Sequence, residues 1–385
     1  MVSELRERSF FGLGRDNLLI MLSMALWGSG EGIWYYIQPL YVKSLGATSL
    51  QIGFVLSLAP VLMVLGFIPV GILADRYGRK KTILGGSAAG TVAVLLLAAA
   101  GDWRHSIIGF VLYYGSACCL PAIHAYVAHG TPHKDLNRIF SMLYSAFAVG
   151  LIIFPTIGGW LGERAGFAPV FLVAGVFYGL STLAVARVRE QPVDQTPSTS
   201  RFEDVASNKR LLLVSALAVF IFFALYLGQP FAPNYLQEVV GVELSRIGFL
   251  GSAHALGAAV LGVALGRLSQ GVGGFIVGQG LVLTSLMIFL RTQTLPLLAT
   301  SFFLRGAFNA CRSLALALTG RVVRATRVGL AYGVVNTASN APMVLAPYVA
   351  GWLYTAQPEL PFLVSAIMIA IMMALSFILL RDDGE

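Results

Sequence analysis

One carboxylate stands alone deep inside a long apolar run. Glu31 sits among Gly28, Gly30 and Gly32, with Trp27, Trp34, Tyr35 and Gln38 close by. The charged form of such an acid loses solvation in a partly dry cavity, which suits alternate loading and release of a proton. An acid there also attracts a cation. The competing use is a static ion pair with Arg305 or a bond to a facing helix. Arg305, Asn309 and Arg312 stand at i, i+4 and i+7, a spacing that puts all three on one helix face. Arginine keeps its charge and offers a planar donor fork, which suits carboxylate or phosphate groups. The competing use is a charge network with Glu31 or with backbone carbonyls.

Other polar and aromatic side chains interrupt apolar runs. They are Tyr113, Tyr114 and His124, then Tyr226, Gln229 and Asn234, then Asn336 and Asn340, the last two four apart on one face. Rings with polar tips suit bulky amphipathic ligands or sugars, and ordinary packing is the alternative for each. The cysteines, Cys118, Cys119 and Cys311, form no CxxC and no metal-ligand spacing. The chain carries no HExxH, no GxxxxGK[ST] and no GxSxG. Neither ATP hydrolysis, nor a hydrolase, nor a bound metal or cofactor is expected.

The elements that hold these groups follow from composition. The 385 residues are 57% hydrophobic and 11% charged. Mean hydropathy is +0.78. A soluble domain carries roughly 25% charged residues. That excludes a soluble enzyme, and a nucleic-acid-binding domain despite the net charge of +8. The lipid bilayer is the expected surrounding. A membrane-spanning helix needs about 20 apolar residues. The apolar runs predict twelve, at 17–41, 51–74, 81–101, 106–128, 138–161, 167–187, 210–235, 246–267, 272–291, 295–319, 328–354 and 359–380. Inside these runs an ionisable group costs at least about 2.5–3.5 kcal/mol, so Glu31, Arg305 and Arg312 each need a reason.

Five segments result. Residues 1–16 form a cytoplasmic tail rather than a cleaved signal, and 17–187 a first six-helix bundle. Residues 188–209 form a polar linker, 210–380 a second six-helix bundle, and 381–385 a short tail. With both termini inside, 19 of the 26 Lys and Arg fall on the cytoplasmic side and five outside. Such a bias is the usual mark of orientation. The absence of any N-x-[ST] sequon agrees with a prokaryotic inner membrane. The halves repeat: Gln51-Ile52-Gly53-Phe54 returns as Arg246-Ile247-Gly248-Phe249. Pro155, Gly159, Trp160 and Leu161 return as Pro347, Gly351, Trp352 and Leu353.

Between spans 2 and 3 stands Gly71-Ile72-Leu73-Ala74-Asp75-Arg76-Tyr77-Gly78-Arg79-Lys80-Lys81. This resembles the GxLaDrxGRkk signature of the major facilitator superfamily. With the duplication and the central linker, the resemblance covers nearly the whole chain. It implies an all-α membrane protein of twelve helices in two six-helix pseudo-repeat bundles, with spans 1, 4, 7 and 10 lining a cavity. It further implies that Asp75 makes a charge contact joining the halves on the cytoplasmic side, with Gly71, Arg76, Gly78 and Arg79 shaping the turn. The second-half copy has Gln270 for Asp75 and Gly274 for Arg79, so that latch is expected to be asymmetric.

Gly150-Leu151-Ile152-Ile153-Phe154-Pro155-Thr156-Ile157-Gly158-Gly159 is similar to the GxxxGPxxGG motif of antiporting exporters, with Phe154 replacing one glycine. These glycines and Pro155 are expected to bend span 5 and pack it on span 8. The drug/proton antiporters of the family carry an arginine in span 4 before a glycine; here Tyr113 and Tyr114 precede Gly115 instead. The resemblance implies a secondary active transporter working by alternating access as a monomer, with a proton gradient as its energy source. Its expected cargo is a small amphipathic organic compound, exported with Glu31 as the coupling group. An organic-anion or sugar transporter using Arg305 and Arg312 stays open, as does a lipid translocase or non-transporting receptor of the same fold.

Overall fold

The structure is a computed structural model. It describes residues 14–131, 135–191, 209–268, 272–322, 335 and 337–380, though not every side chain within them. Helices make up the fold, and the described residues contain no strand. Nine helices among them are long and apolar enough to cross a membrane. Large apolar side chains cover much of the outside: Leu65 is 68% exposed and Ile108 63%. Such a surface is a liability in water and the expected one in lipid.

The chain folds as two compact units. One comprises Met1–Tyr36 and Ala59–Thr196, the other Ile37–Leu58 and Pro197–Glu385. Packing therefore places the stretch Ile37–Leu58, which precedes the linker by a long way, with the second unit.

The first unit holds α1 (Arg15–Tyr35), α4 (Val61–Tyr77), α5 (Arg79–Ala99), α6 (Trp103–Ser116), α7 (Leu120–His129), α8 (Leu136–Ala165) and α9 (Phe167–Ala186). Helix α1 packs on α8 and α9, and α5 on α6 and α9. The α1–α8 contact is backbone on backbone. A Cβ at Gly28 would strike the Phe147 carbonyl, one at Gly150 the Gly28–Ser29 peptide, and one at Gly158 the Ile33 carbonyl. Small residues at such crossings let helices approach where lipid offers no hydrophobic drive. The span-5 motif thus packs its Gly150 and Gly158 on α1. Pro155 and Gly159 are buried in the same helix.

The second unit holds α2 (Gln38–Ser44), α3 (Ser49–Leu58), α10 (Lys209–Leu227), α11 (Ala232–Tyr235), α12 (Leu244–Leu268), α13 (Val272–Arg291), α14 (Leu295–Arg305), α15 (Ala307–Val322), α16 (Pro342–Ala356) and α17 (Leu360–Leu380). Helix α3 lies along α16: Gly53 sits against the Pro347 carbonyl, and the Tyr348 amide donates to Ser57 Oγ at 2.9 Å.

Several predicted spans are interrupted. Span 1 breaks at Tyr36–Ile37, span 4 passes through a 3₁₀ turn at Ala117–Cys119, and span 7 breaks between Leu227 and Ala232. Pro39, Pro121 and Pro233 open the continuing pieces, where the missing amide costs nothing. Residues 328–334 of span 11 lie outside the described residues.

Candidate functional site

Helix α1 brings Trp27, Glu31 and Trp34 to one side, and α6 supplies Tyr113 and Tyr114. Glu31 is half-buried and lies near Tyr113. Trp34 is fully buried; its indole Nε1 donates to Tyr178 Oη at 3.3 Å, and Tyr178 Oη donates to Tyr113 Oη at 3.2 Å. The rings close around this string. Trp27 stacks on Tyr178 with centroids 4.3 Å apart, and Trp34 meets Tyr113 edge-on at 4.7 Å. Tyr114 stands perpendicular to Tyr113, and Tyr35 edge-on to Trp34. Gly90 leaves room for the Trp27 indole and Gly30 for the Tyr178 ring. Two hydrogen bonds in series thus run beside the acid, inside an electron-rich aromatic wall that also suits an organic cation.

Tyr178 is absent from the sequence-based set. It lies in span 6, outside the four spans expected to line the cavity. The available signal was faint: it is the one tyrosine in that apolar span, with Ser181 and Thr182 just beyond. His124, half-buried on α7, shares a 2.6 Å hydrogen bond with Tyr144 Oη and so stands apart from the Glu31 cluster.

In the second unit the three polar residues of span 10 differ in burial. Arg305 is 2% exposed whereas Asn309 is exposed. The helix tightens at Gly306, where the amides of Gly306 and Asn309 bond to the carbonyls of Phe303 and Gly306, three residues back. Such i→i+3 bonds overwind a helix and turn the following residues off the earlier face. The tightening accompanies a close crossing: Gly306 backs directly onto α12 at His254, Gly257 and Ala258. The Arg305 guanidinium lies over Phe289 and Phe302, 4.8 and 4.6 Å from their centroids, and its Nε donates to Ser285 Oγ at 3.5 Å. We expect Arg305→Ala to cost roughly 2–4 kcal/mol through the cavity and the lost cation–π contacts. Unfolding of the purified protein in detergent measures this; an unchanged melting temperature together with lost binding of an anionic probe would return Arg305 to a ligand role.

Arg312 is half-buried, and its Nη2 donates to Asn340 Oδ1 at 2.6 Å. Asn336 lies outside the described residues. Tyr226 tilts against Phe308, and Gln229 Nε2 donates to the Leu225 carbonyl at 2.9 Å. Asn234, fully buried, donates through Nδ2 to Glu238 Oε1 at 3.2 Å. Glu238 also pairs with Lys43 and accepts from Tyr354 Oη at 3.3 Å. Gln38 is buried in the neighbouring α2. The Glu238 cluster is likewise absent from the sequence-based set, although Lys43 and Glu238 lie 195 positions apart, the offset of the Gln51/Arg246 repeat itself.

At the turn between α4 and α5 Gly78 adopts φ +103°, a conformation that favours glycine, and so joins the two helices without a loop. Arg76 is exposed and lies over the Tyr77 ring. Arg79 Nη1 donates to Gln191 Oε1 at 3.4 Å, and Lys81 pairs with Glu190 at 3.6 Å. These cations therefore hold the chain where it leaves span 6. The burial of Gly71, the side chain of Asp75 and the whole of Gln270 lie outside the description.

Long apolar helices, a lipid-compatible surface and charged groups recessed within the helical units define a multi-pass membrane protein. The family model described as Major Facilitator Superfamily matches residues 18–274 and 214–385, and the chain belongs to that family. It is a family of transporters rather than enzymes. An uncharacterised transporter of this type from Methanocaldococcus jannaschii is 24% identical over 84% of this chain and 87% of its own length. The multi-drug resistance efflux pump PmrA of Streptococcus pneumoniae is 27% identical over 67% and 68%. Among solved structures, a point mutant of the nucleoside transporter NupG superposes with a TM-score of 0.81 over 94% of this chain and 98% of its own, at 15% identity. That last likeness concerns the fold alone.

Proposed function

We propose that this chain exports small amphipathic organic compounds in exchange for protons, with Glu31 carrying the coupling proton. The observation that carries the reading is the half-buried Glu31 on the same helix as Trp27 and Trp34, whose rings pack with Tyr113 and Tyr178. A lone membrane acid needs a function to offset its cost, and the aromatic wall fits a flat or cationic cargo. The similarity to the efflux pump PmrA supports the direction. The two halves work by alternating access, with Gly78, Arg79 and the glycines of α8 serving the moving contacts. The working form is a monomer in a prokaryotic inner membrane, both termini cytoplasmic, with no cofactor beyond the proton gradient.

The anion or sugar reading keeps Arg312 but loses much of its support at Arg305, whose guanidinium is taken up by two phenyl rings and Ser285. Purified protein in liposomes, given an imposed pH gradient, tests the proposal with ethidium and an anionic dye as probes. Ethidium should move against the proton flow and stop when an ionophore collapses the gradient. Movement indifferent to the gradient, or of the anion alone, would overturn it.

A further inference from the structure

We propose that Lys43 and Glu238 form an outer latch that parts in every transport cycle, with Lys43 as the arm that moves and Glu238 at the centre of the socket that stays. This rests on alternating access and on the orientation proposed above, which puts these ends of spans 1 and 7 outside.

The socket is built from three sides, all within the second unit. The Glu238 carboxylate pairs with Lys43 of α2, and it accepts from Asn234 Nδ2 at 3.2 Å and from Tyr354 Oη at 3.3 Å. Tyr354 also stacks on Phe231 with centroids 4.9 Å apart, so ring and hydroxyl together hold α16 to the last piece of span 7. The pair sits where the repeat meets itself. Lys43 and Glu238 are 195 positions apart, the offset at which Gln51-Ile52-Gly53-Phe54 returns as Arg246-Ile247-Gly248-Phe249. Equivalent positions of a two-fold repeat touch only near the axis that relates the copies. The two copies carry opposite charges there, so the contact is a bond rather than a repulsion. A bond on that axis closes any path that runs along it.

Both partners ride on short pieces beyond a break. Span 1 stops at Tyr36–Ile37 before α2. Span 7 stops after Leu227, before α11 and the π-helical turn Leu236–Val240 that carries Glu238. Such interruptions absorb backbone rotation that a continuous helix resists. The holding is also incomplete. Gln38 Oε1 and Asn234 Oδ1 are buried with no hydrogen-bond donor among the described residues. A buried acceptor left unmet opposes the docked arrangement. Against that stand the ion pair and the bond from the Tyr348 amide to Ser57 Oγ. The balance suits a contact that closes and lets go.

The test labels a cysteine behind the latch. Ser57 is buried where α3 meets α16, and Ser57→Cys puts a thiol there. In intact cells a membrane-impermeant maleimide should reach that thiol about tenfold faster when Lys43→Met or Glu238→Gln is added, the order of one charge-assisted bond. Tyr354→Phe leaves both charges in place and should have a smaller effect. The Lys43 side chain is 41% exposed, so Lys43→Met keeps the experiment decisive if Glu238→Gln fails to fold. The native cysteines are buried, and labelling with Ser57 retained gives their background. Labelling unchanged by Lys43→Met overturns the proposal. A second measurement asks whether parting is required. Lys43→Cys with Glu238→Cys, bridged by a bis-methanethiosulfonate, should lose ethidium export and regain it with reductant. Export undiminished by the bridge marks a fixed joint and overturns the proposal as well. If the unbridged protein moves no ethidium, the export reading fails, and the labelling rates decide the latch by themselves.

Discussion

Glu31→Gln should abolish proton-driven export, by at least about a hundredfold, while leaving binding of the cargo measurable. The amide matches the carboxylate in size, so the surrounding hydrogen bonds and rings keep their places. What disappears is the group that binds and releases a proton. Removing a positioned proton-transfer group costs about 10²–10⁴-fold where that transfer is required. Binding falls by less, since the aromatic rings of Trp27, Trp34 and Tyr113 remain. The comparison is made in liposomes with an imposed pH gradient for flux, and by ligand-induced thermal stabilisation for binding. Full proton-driven flux in the variant would remove Glu31 from the mechanism.

Gly158→Val should destabilise the protein by roughly 3 kcal/mol or more, and it should disable transport as a consequence. A Cβ at Gly158 meets the Ile33 carbonyl on α1, which is backbone and cannot rotate aside. Overpacking of a tight core typically costs about 1–3 kcal/mol even where side chains give way. Here the whole of α1 must move, and with it Glu31 and Trp34, which flank Ile33 on the same helix. Gly179→Val is the control, because nothing lies within 4 Å of where its Cβ would be. Unfolding in detergent should separate the two variants clearly, and equal melting temperatures would show that α8 does not support α1 in this way.

Much of the fold could be read before any coordinates. The span ends agree with the observed helices closely where the runs are uniform: 167–187 against Phe167–Ala186, 272–291 against Val272–Arg291, and 359–380 against Leu360–Leu380. In lipid every backbone group must bond within its own segment, so length and hydropathy nearly dictate the helix. Agreement weakens where backbone geometry departs from the regular helix. The tightening at Gly306 is invisible to a spacing rule that assumes 3.6 residues per turn. Across it Arg305 is buried and Asn309 exposed.

The candidate site was legible in part for a related reason. Glu31 announces itself because a charge in lipid is expensive. Tyr178 does not, because a tyrosine in an apolar helix is ordinary until its neighbours are known. Lys43 and Glu238 read as separate outer charges, and nothing local joins residues from different repeats. Sequence alone determined the solvent of this protein, its helices, its internal duplication, its family and the position of its lone membrane acid. Each of these follows from local hydropathy, spacing or motif. Tertiary structure decided the partners: Tyr178 for Trp34 and Tyr113, phenyl rings for Arg305, and α1 for the glycines of α8. Hydrogen-bond direction and backbone clearance depend on atoms brought together from distant parts of the chain.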